Sequence, residues 1–311
     1  GLPTTEALGV RRLYLYLVSP AMLVMLALGV GRILHIILLE GYEAIASLPV
    51  LVPTESGLWR PVMRTAVALA LVGSAVWGAH WLYFARRDFG SILRQVYLYI
   101  FTVLGGVITV LVALGFIING TLTWLLGAPP NDTASDHFRF LPGALASLTV
   151  GVSLWVYHWT AVRREAEVSA HESRLARRSY AYVLTALGLA AMAFAVVTLV
   201  STAIAILSES ASPMLSGREV WRTPVAMIIT LVVLGLPLWG RQWASIVREV
   251  DAGDADERNA LARRIFIFAV LGAGALALLG SVSFVIFVFL REVLEGRLSL
   301  EILRDARAAL S

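Results

Sequence analysis

Seven apolar stretches, at about 13–39, 62–84, 96–126, 141–162, 180–207, 223–240 and 265–290, dominate this chain. Most are long enough to cross the roughly 30 Å of bilayer hydrocarbon as helix, which takes about 20 residues. In that medium every backbone N–H must find its partner inside its own segment, so helices win over open strands. With 59% apolar residues, 15% charged residues and a mean hydropathy of +0.80, one water-soluble core cannot hold the excess. The first stretch follows Arg11 and Arg12 but is too long for a secretory h-region, and it reads as an anchor. The fold class expected is an all-α integral membrane protein with seven transmembrane helices, forming one membrane domain over 1–311.

Arginine placement sets the orientation. One set of helix ends carries fifteen arginines, among them Arg11, Arg12, Arg94, Arg163, Arg164, Arg177 and Arg263, whereas the opposite loops carry five. Positive charge in short loops stays on the cytoplasmic side, so the N-terminus is expected inside a bacterial cytoplasmic membrane. The sequence pI near 9.7 has the same origin. These arginines flank apolar segments and form no basic domain, so nucleic acid is not an expected partner. All 25 basic residues are arginine and there is no cysteine, which excludes Schiff-base and P-loop lysines, thiolate nucleophiles, disulfides and cysteine-held metal centres.

The helices repeat in pairs. Odd-numbered helices open with Arg11-Arg12-Leu13-Tyr14-Leu15-Tyr16, Arg94-Gln95-Val96-Tyr97-Leu98-Tyr99, Arg177-Arg178-Ser179-Tyr180-Ala181-Tyr182 and Arg263-Arg264-Ile265-Phe266-Ile267-Phe268, four copies of R-x-x-[YF]-x-[YF] whose first arginines lie 83, 83 and 86 residues apart. Even-numbered helices close with Gly73-x-x-x-Trp77-x-x-His80-Trp81, Gly151-x-x-x-Trp155-x-x-His158-Trp159 and Gly235-x-x-x-Trp239-x-x-Gln242-Trp243. The unit is therefore a two-helix hairpin in parallel tandem copies, at about 11–88, 94–167, 177–249 and 263–311. The fourth copy is incomplete in this register, and an eighth helix is expected to begin near Ala306 and run beyond Ser311.

These openings and closings, and their recurrence, resemble a family of bacterial membrane proteins known only as a domain of unknown function. The resemblance covers nearly the whole chain and implies no activity, cofactor or catalytic residue.

Tyr and Trp beside snorkelling arginine fit the headgroup level of a membrane. Arg11, Arg94, Arg177 and Arg263, with Trp77, Trp81, Trp155, Trp159, Trp239 and Trp243, are thus candidates for lipid or partner contact. The alternative is a stacked ring of these groups around a cytoplasmic pocket. Gly73, Gly151 and Gly235 lie one turn before a Trp and read as close-packing positions. His80 and His158 hold equivalent places where the third copy has Gln242. A hydrogen bond to a neighbouring helix accounts for all three, and axial haem ligation by the two histidines is the competing reading. Arg32 and His35, one turn apart late in the first helix, have no counterparts in the other copies. They read either as snorkelling groups, with Glu40 or Glu43 as partner to Arg32, or as an ionisable site within the membrane. Asp251, Asp254, Asp256 and Glu257 lack the EF-hand spacing and read as a solvated linker, so no metal site is expected.

No zinc-protease motif, paired carboxylates or nucleophile with a base appears, so the chain is not expected to be an enzyme. The leading expectation is a non-catalytic membrane subunit, scaffold or anchor that packs against other membrane-protein subunits and lipid, with bound lipid and no cofactor. The alternatives are a carrier or channel for a small neutral or lipid-like solute, for which a path lined by Thr109, Ser153, Thr185 or Thr230 would speak, and a haem- or quinone-binding electron-transfer subunit. A visible spectrum of the purified protein separates the last: His80–His158 ligation predicts a Soret band, and its absence removes the haem version.

Overall fold

A computed structural model describes residues 5–46, 61–85, 91–127, 133–166, 170–209, 221–251 and 260–294. The expected repeat ends near 88 and 167, the arginines Arg60, Arg86, Arg87, Arg218 and Arg258, the acidic linker from Asp254 to Glu257 and the start of an eighth helix near Ala306 lie outside the described residues.

The described residues are helical throughout, apart from short turns. The helices are α1 (Thr5–Ala46), α2 (Pro61–Gly78), α3 (Ile92–Val96), α4 (Gly105–Leu125), α5 (Ala134–His137), α6 (Leu141–Ala166), α7 (Ala170–Glu209), α8 (Arg222–Asp251) and α9 (Leu261–Leu294). Two π-helical segments extend them: Ala79–Phe84 continues α2, and Tyr97–Leu104 joins α3 to α4. Among the described residues, seven helices are long and apolar enough to cross a membrane, matching the seven stretches in the sequence. The chain is an all-α membrane protein of paired helices. At 1.5 Å per residue, the 42 residues of α1 span about 63 Å, twice the hydrocarbon thickness.

By packing, the chain divides into two compact units, residues 1–117 with 132–180 and residues 118–131 with 181–311. In the first unit α1 runs alongside α2 and α6. At its far end the Tyr42 hydroxyl donates to the Ser135 carbonyl (2.7 Å), and Glu43 pairs with Arg139 (2.5 Å). Thr133 caps α5 there, accepting from the Asp136 N–H at 3.2 Å. In the second unit the turn after α4 holds Gly127, whose φ of 82° a side chain would strain. The Gly127 carbonyl accepts from Arg222 at the start of α8 (2.8 Å). Pro237 lies inside α8, which continues through it to Asp251.

Each hairpin closes on a glycine of its even-numbered span. A Cβ on Gly73 would lie 2.5 Å from the Leu26 nitrogen, one on Gly151 3.0 Å from the Val110 nitrogen and the Thr109 Cβ, and one on Gly235 2.9 Å from the Ala191 Cβ. Leu26 and Thr109 each stand 15 residues after the first arginine of their copy, and Ala191 stands 14 after. The three hairpins thus cross at one register. In the second and third copies the contact is reciprocal. Cβ atoms built on Gly106 and Gly151 would each lie 3.1 Å from the other residue's carbonyl oxygen, and one on Gly188 would lie 2.9 Å from the Gly235 oxygen. Apolar side chains gain little from leaving lipid tails for one another, so this backbone proximity supplies the van der Waals contact that holds the pair.

Gly188→Val places its Cβ 2.5 Å from the Trp239 nitrogen and forces α7 and α8 apart. It is expected to cost about 1–3 kcal/mol and to lower the unfolding midpoint in detergent. Gly272→Ala in α9, where an added Cβ meets nothing within 4 Å, is expected to leave that midpoint unchanged or raise it. Equal effects of the two would contradict the crossing.

Candidate functional site

The repeated aromatic motifs meet at the seams between successive hairpins. At each seam the first ring of a new copy sits beside the last ring of the previous opening: Tyr97 beside Tyr16 (6.2 Å between centroids), Tyr180 beside Tyr99 (6.0 Å) and Phe266 beside Tyr182 (5.5 Å). The closing Trp of the preceding even helix meets that same ring: Trp81 on Tyr97 (4.8 Å), Trp159 on Tyr180 (6.5 Å) and Trp243 on Phe266 (6.1 Å). The motif therefore makes one three-ring contact, three times. Tyr16, Trp81, Tyr97, Tyr99, Tyr180 and Tyr182 are all buried by it.

The first seam carries charge as well. Arg94 Nε donates to both Glu165 carboxylate oxygens (2.9 Å each) and Nη2 to one of them (2.6 Å), with only 6% of either side chain exposed. Arg94 Nη1 donates to the Ala85 carbonyl at the end of the Ala79–Phe84 segment. The guanidinium lies 4.6 Å over the Trp81 ring, a cation–π contact, and bonds the Tyr16 side chain. Gln95 Nε2 adds a donor to Glu165 at 3.3 Å. Burial alone would favour loss of the Arg94 proton, but the Glu165 carboxylate outweighs it and holds the guanidinium above its ordinary pKa. The other leading arginines are placed differently: Arg11 and Arg177 are exposed and Arg263 is half-buried.

His80 and His158 make equivalent bonds through Nδ1 to their own helix, and His80 also reaches a neighbouring one through Nε2. Nδ1 of each faces the carbonyl one turn back, Val76 at 2.8 Å and Leu154 at 2.9 Å. A carbonyl only accepts, so Nδ1 carries the proton and Nε2 keeps its lone pair. His80 Nε2 meets the Tyr14 hydroxyl at 3.4 Å. His158 Nε2 is buried without a hydrogen-bond partner among the described residues, walled by the rings of Trp77, Trp81, Tyr97 and Tyr157 at 4.8–6.2 Å. The same rings are tied to one another, Trp77 Nε1 donating to the Tyr97 hydroxyl (3.0 Å) and Trp81 Nε1 to that of Tyr157 (3.3 Å). Of the first-Trp series, Trp155 is exposed and Trp239 half-buried. Among the described residues no group of three or more His, Asp or Glu could hold a metal ion.

Arg32 and His35 stand apart from these seams. Glu43, expected as a partner for Arg32, pairs with Arg139. His35 lies over Gly143 of α6, where an added Cβ would be 3.6 Å from its Cε1.

Sequence reasoning missed Glu165, Tyr157, Gly106 and Gly188. The repeat held a signal for the first, because Glu249 follows Gln242 at the spacing by which Glu165 follows His158. Gly106 and Gly188 were hidden because the first copy has Leu23 and Met22 at the corresponding places.

Removing either partner of the Arg94–Glu165 pair strands a buried charge. Arg94→Met or Glu165→Leu alone is expected to cost about 3–5 kcal/mol, read as a lowered unfolding midpoint. The double variant is expected to recover much of that loss, whereas additive losses would show that the pair is not coupled.

The chain matches the model of the domain of unknown function DUF5671 over residues 12–141 and again over 178–311. The two matches start 166 residues apart, twice the 83-residue stride, each at the second residue of an R-x-x-[YF]-x-[YF] opening. No curated protein and no solved structure matches the chain. Covered over most of its length by two copies of that model, the chain belongs to the DUF5671 family.

Proposed function

We propose that the protein is a non-catalytic subunit, scaffold or anchor of a larger assembly in a bacterial cytoplasmic membrane, with its N-terminus and the aromatic seams on the cytoplasmic side. One observation carries this reading: the residues that recur, and so define the chain, are used to join one hairpin to the next. Tyr97, Trp81 and Arg94 contact one another, and the rings that correspond to Tyr97 and Trp81 do the same at the other two seams.

The hydroxyls that would favour a polar transport path speak for the same reading. Thr109, Ser153, Thr185 and Thr230 each donate to the carbonyl four residues back, at 2.7–2.8 Å, so their bonding is satisfied within their own helices. Meanwhile α9 exposes apolar side chains on several sides, among them Phe268, Leu271, Leu278, Val282 and Phe287. Its Gly274 stands 11 residues after Arg263, where Gly188 follows Arg177 by the same number, and a Cβ there would meet nothing within 4 Å. In the third copy that position meets the even helix of the same hairpin, so the face suits close approach of a further transmembrane helix.

The test is gentle extraction from native membrane followed by mass analysis of intact complexes. Co-migration with other membrane proteins in fixed ratio is expected. A chain that migrates alone would overturn the subunit reading.

A further inference from the structure

A groove of about 410 Å³ runs between α1, α4 and α6 in the first unit, from Pro20 to Arg32 and His35. Glycine makes the space: Gly31, Gly105 and Gly143 line it without side chains. The body of the groove is aliphatic, with Leu23, Leu28, Val150 and Leu154 among its walls. The hydroxyl of its Thr109 is turned back onto the Gly105 carbonyl at 2.8 Å. On the α1 side it is open, since Val24, Leu28 and Arg32, one turn apart, are all exposed.

The charged end has a definite depth. If α1 enters hydrocarbon at Leu13, about 20 residues bring it to the far side, which puts Arg32 at the headgroup level opposite Arg11 and Arg12. Among the described residues none supplies Arg32 with an ion-pair or hydrogen-bond partner, and Glu43, about 16 Å further along α1, pairs with Arg139. Arg32 is thus a cation at the interface end of an apolar channel, with the His35 ring beside it.

Size and charge together select the occupant. From Pro20 to Arg32 is roughly 18 Å along the helix, and a helix about 10 Å across would need well over ~1,000 Å³ for that length. The groove has less than half of this. Extended hydrocarbon fits where a partner helix does not, and a guanidinium prefers a phosphate, which it can bind through two N–H donors. We propose that this groove binds one anionic glycerophospholipid, with acyl chain along α1 and α6 and phosphate on Arg32. The site requires only that the chain span the bilayer, so it stands whether or not the subunit reading holds.

The full-length protein, purified in mild detergent, would be exchanged into bilayer nanodiscs of phosphatidylglycerol or of phosphatidylcholine and the lipid retained on re-extraction counted by native mass spectrometry. Retention of about one phosphatidylglycerol per chain, and little phosphatidylcholine, is expected. Arg32→Gln should weaken that retention about tenfold or more, the loss of a charge-assisted contact. Gly105→Leu keeps Arg32 and fills the groove from a position where an added Cβ meets nothing within 4 Å. It should abolish retention with the unfolding midpoint unchanged, whereas Arg163→Gln at the opposite end of α6 should not affect it. Equal retention of both lipids, or of phosphatidylglycerol by Arg32→Gln, would overturn the proposal. So would phosphatidylglycerol retained by Gly105→Leu and displaced by inorganic phosphate, which would leave a bare anion site at Arg32, or release of a bound protein instead of lipid.

Discussion

Backbone against backbone at a glycine is the contact on which the rest of this structure is built. A helix surrounded by lipid gains little by exchanging lipid tails for the side chains of a neighbour, so close approach must come from residues that remove the side chain altogether. Gly73, Gly151 and Gly235 do this at one register in their three hairpins, and Gly106 and Gly188 answer from the opposite helix in two of them. Once that crossing is fixed, the closing Trp follows eight residues later, roughly 12 Å along the helix, and is carried to the level of the opening aromatics of the next copy. The seams inherit their geometry from the crossings.

The seams are alike in their rings and unlike in their charges. Tyr97, Tyr180 and Phe266 are each held by one aromatic from the previous opening and one Trp from the previous closing. The arginine that opens a copy has no such constancy. Arg94 is buried on Glu165 and Trp81, whereas Arg11 and Arg177 face outward. Apolar contact tolerates a change from Tyr to Phe, but a buried guanidinium needs a carboxylate and an open carbonyl at fixed positions. The two π-helical segments, Ala79–Phe84 and Tyr97–Leu104, flank this one seam and set the Ala85 carbonyl and the Tyr97 ring around Arg94. Wider helical turns at such points are a common way to re-aim side chains.

The spans, the repeat and the even-helix glycines were legible in the sequence because each is carried by residue type at a fixed local spacing. What could not be read depended on distant pairs or on ambiguous patterns. Arg94 and Glu165 are 71 residues apart, and Glu165 sits in a run of mixed charge, from Arg163 onward, that looks like solvated helix. Glu43 stands 11 residues beyond Arg32, about 16 Å along a helix that runs unbroken, and packing against α6 gives it Arg139 instead. The histidines were legible only in part, since His80 does reach Tyr14 of α1 and His158 Nε2 meets no partner among the described residues. An imidazole near its own carbonyl satisfies Nδ1 within the helix, and sequence spacing does not distinguish that from a bond across to a neighbour. Tyr and Trp near arginine describe a membrane interface and a buried seam equally well, since both want a flat apolar ring with a polar edge.

A repeat made of two spans has a consequence for how such a chain can change over generations. Gaining or losing one hairpin leaves every later loop on its original side of the membrane, because the number of crossings changes by an even amount. A gained copy would bring an opening aromatic pair for the copy before it and a closing Trp for the copy after it, so it arrives with both of its joints already made. Length in this architecture is therefore counted in hairpins rather than in residues, and the smallest heritable step that keeps the fold intact is a whole stride of the repeat.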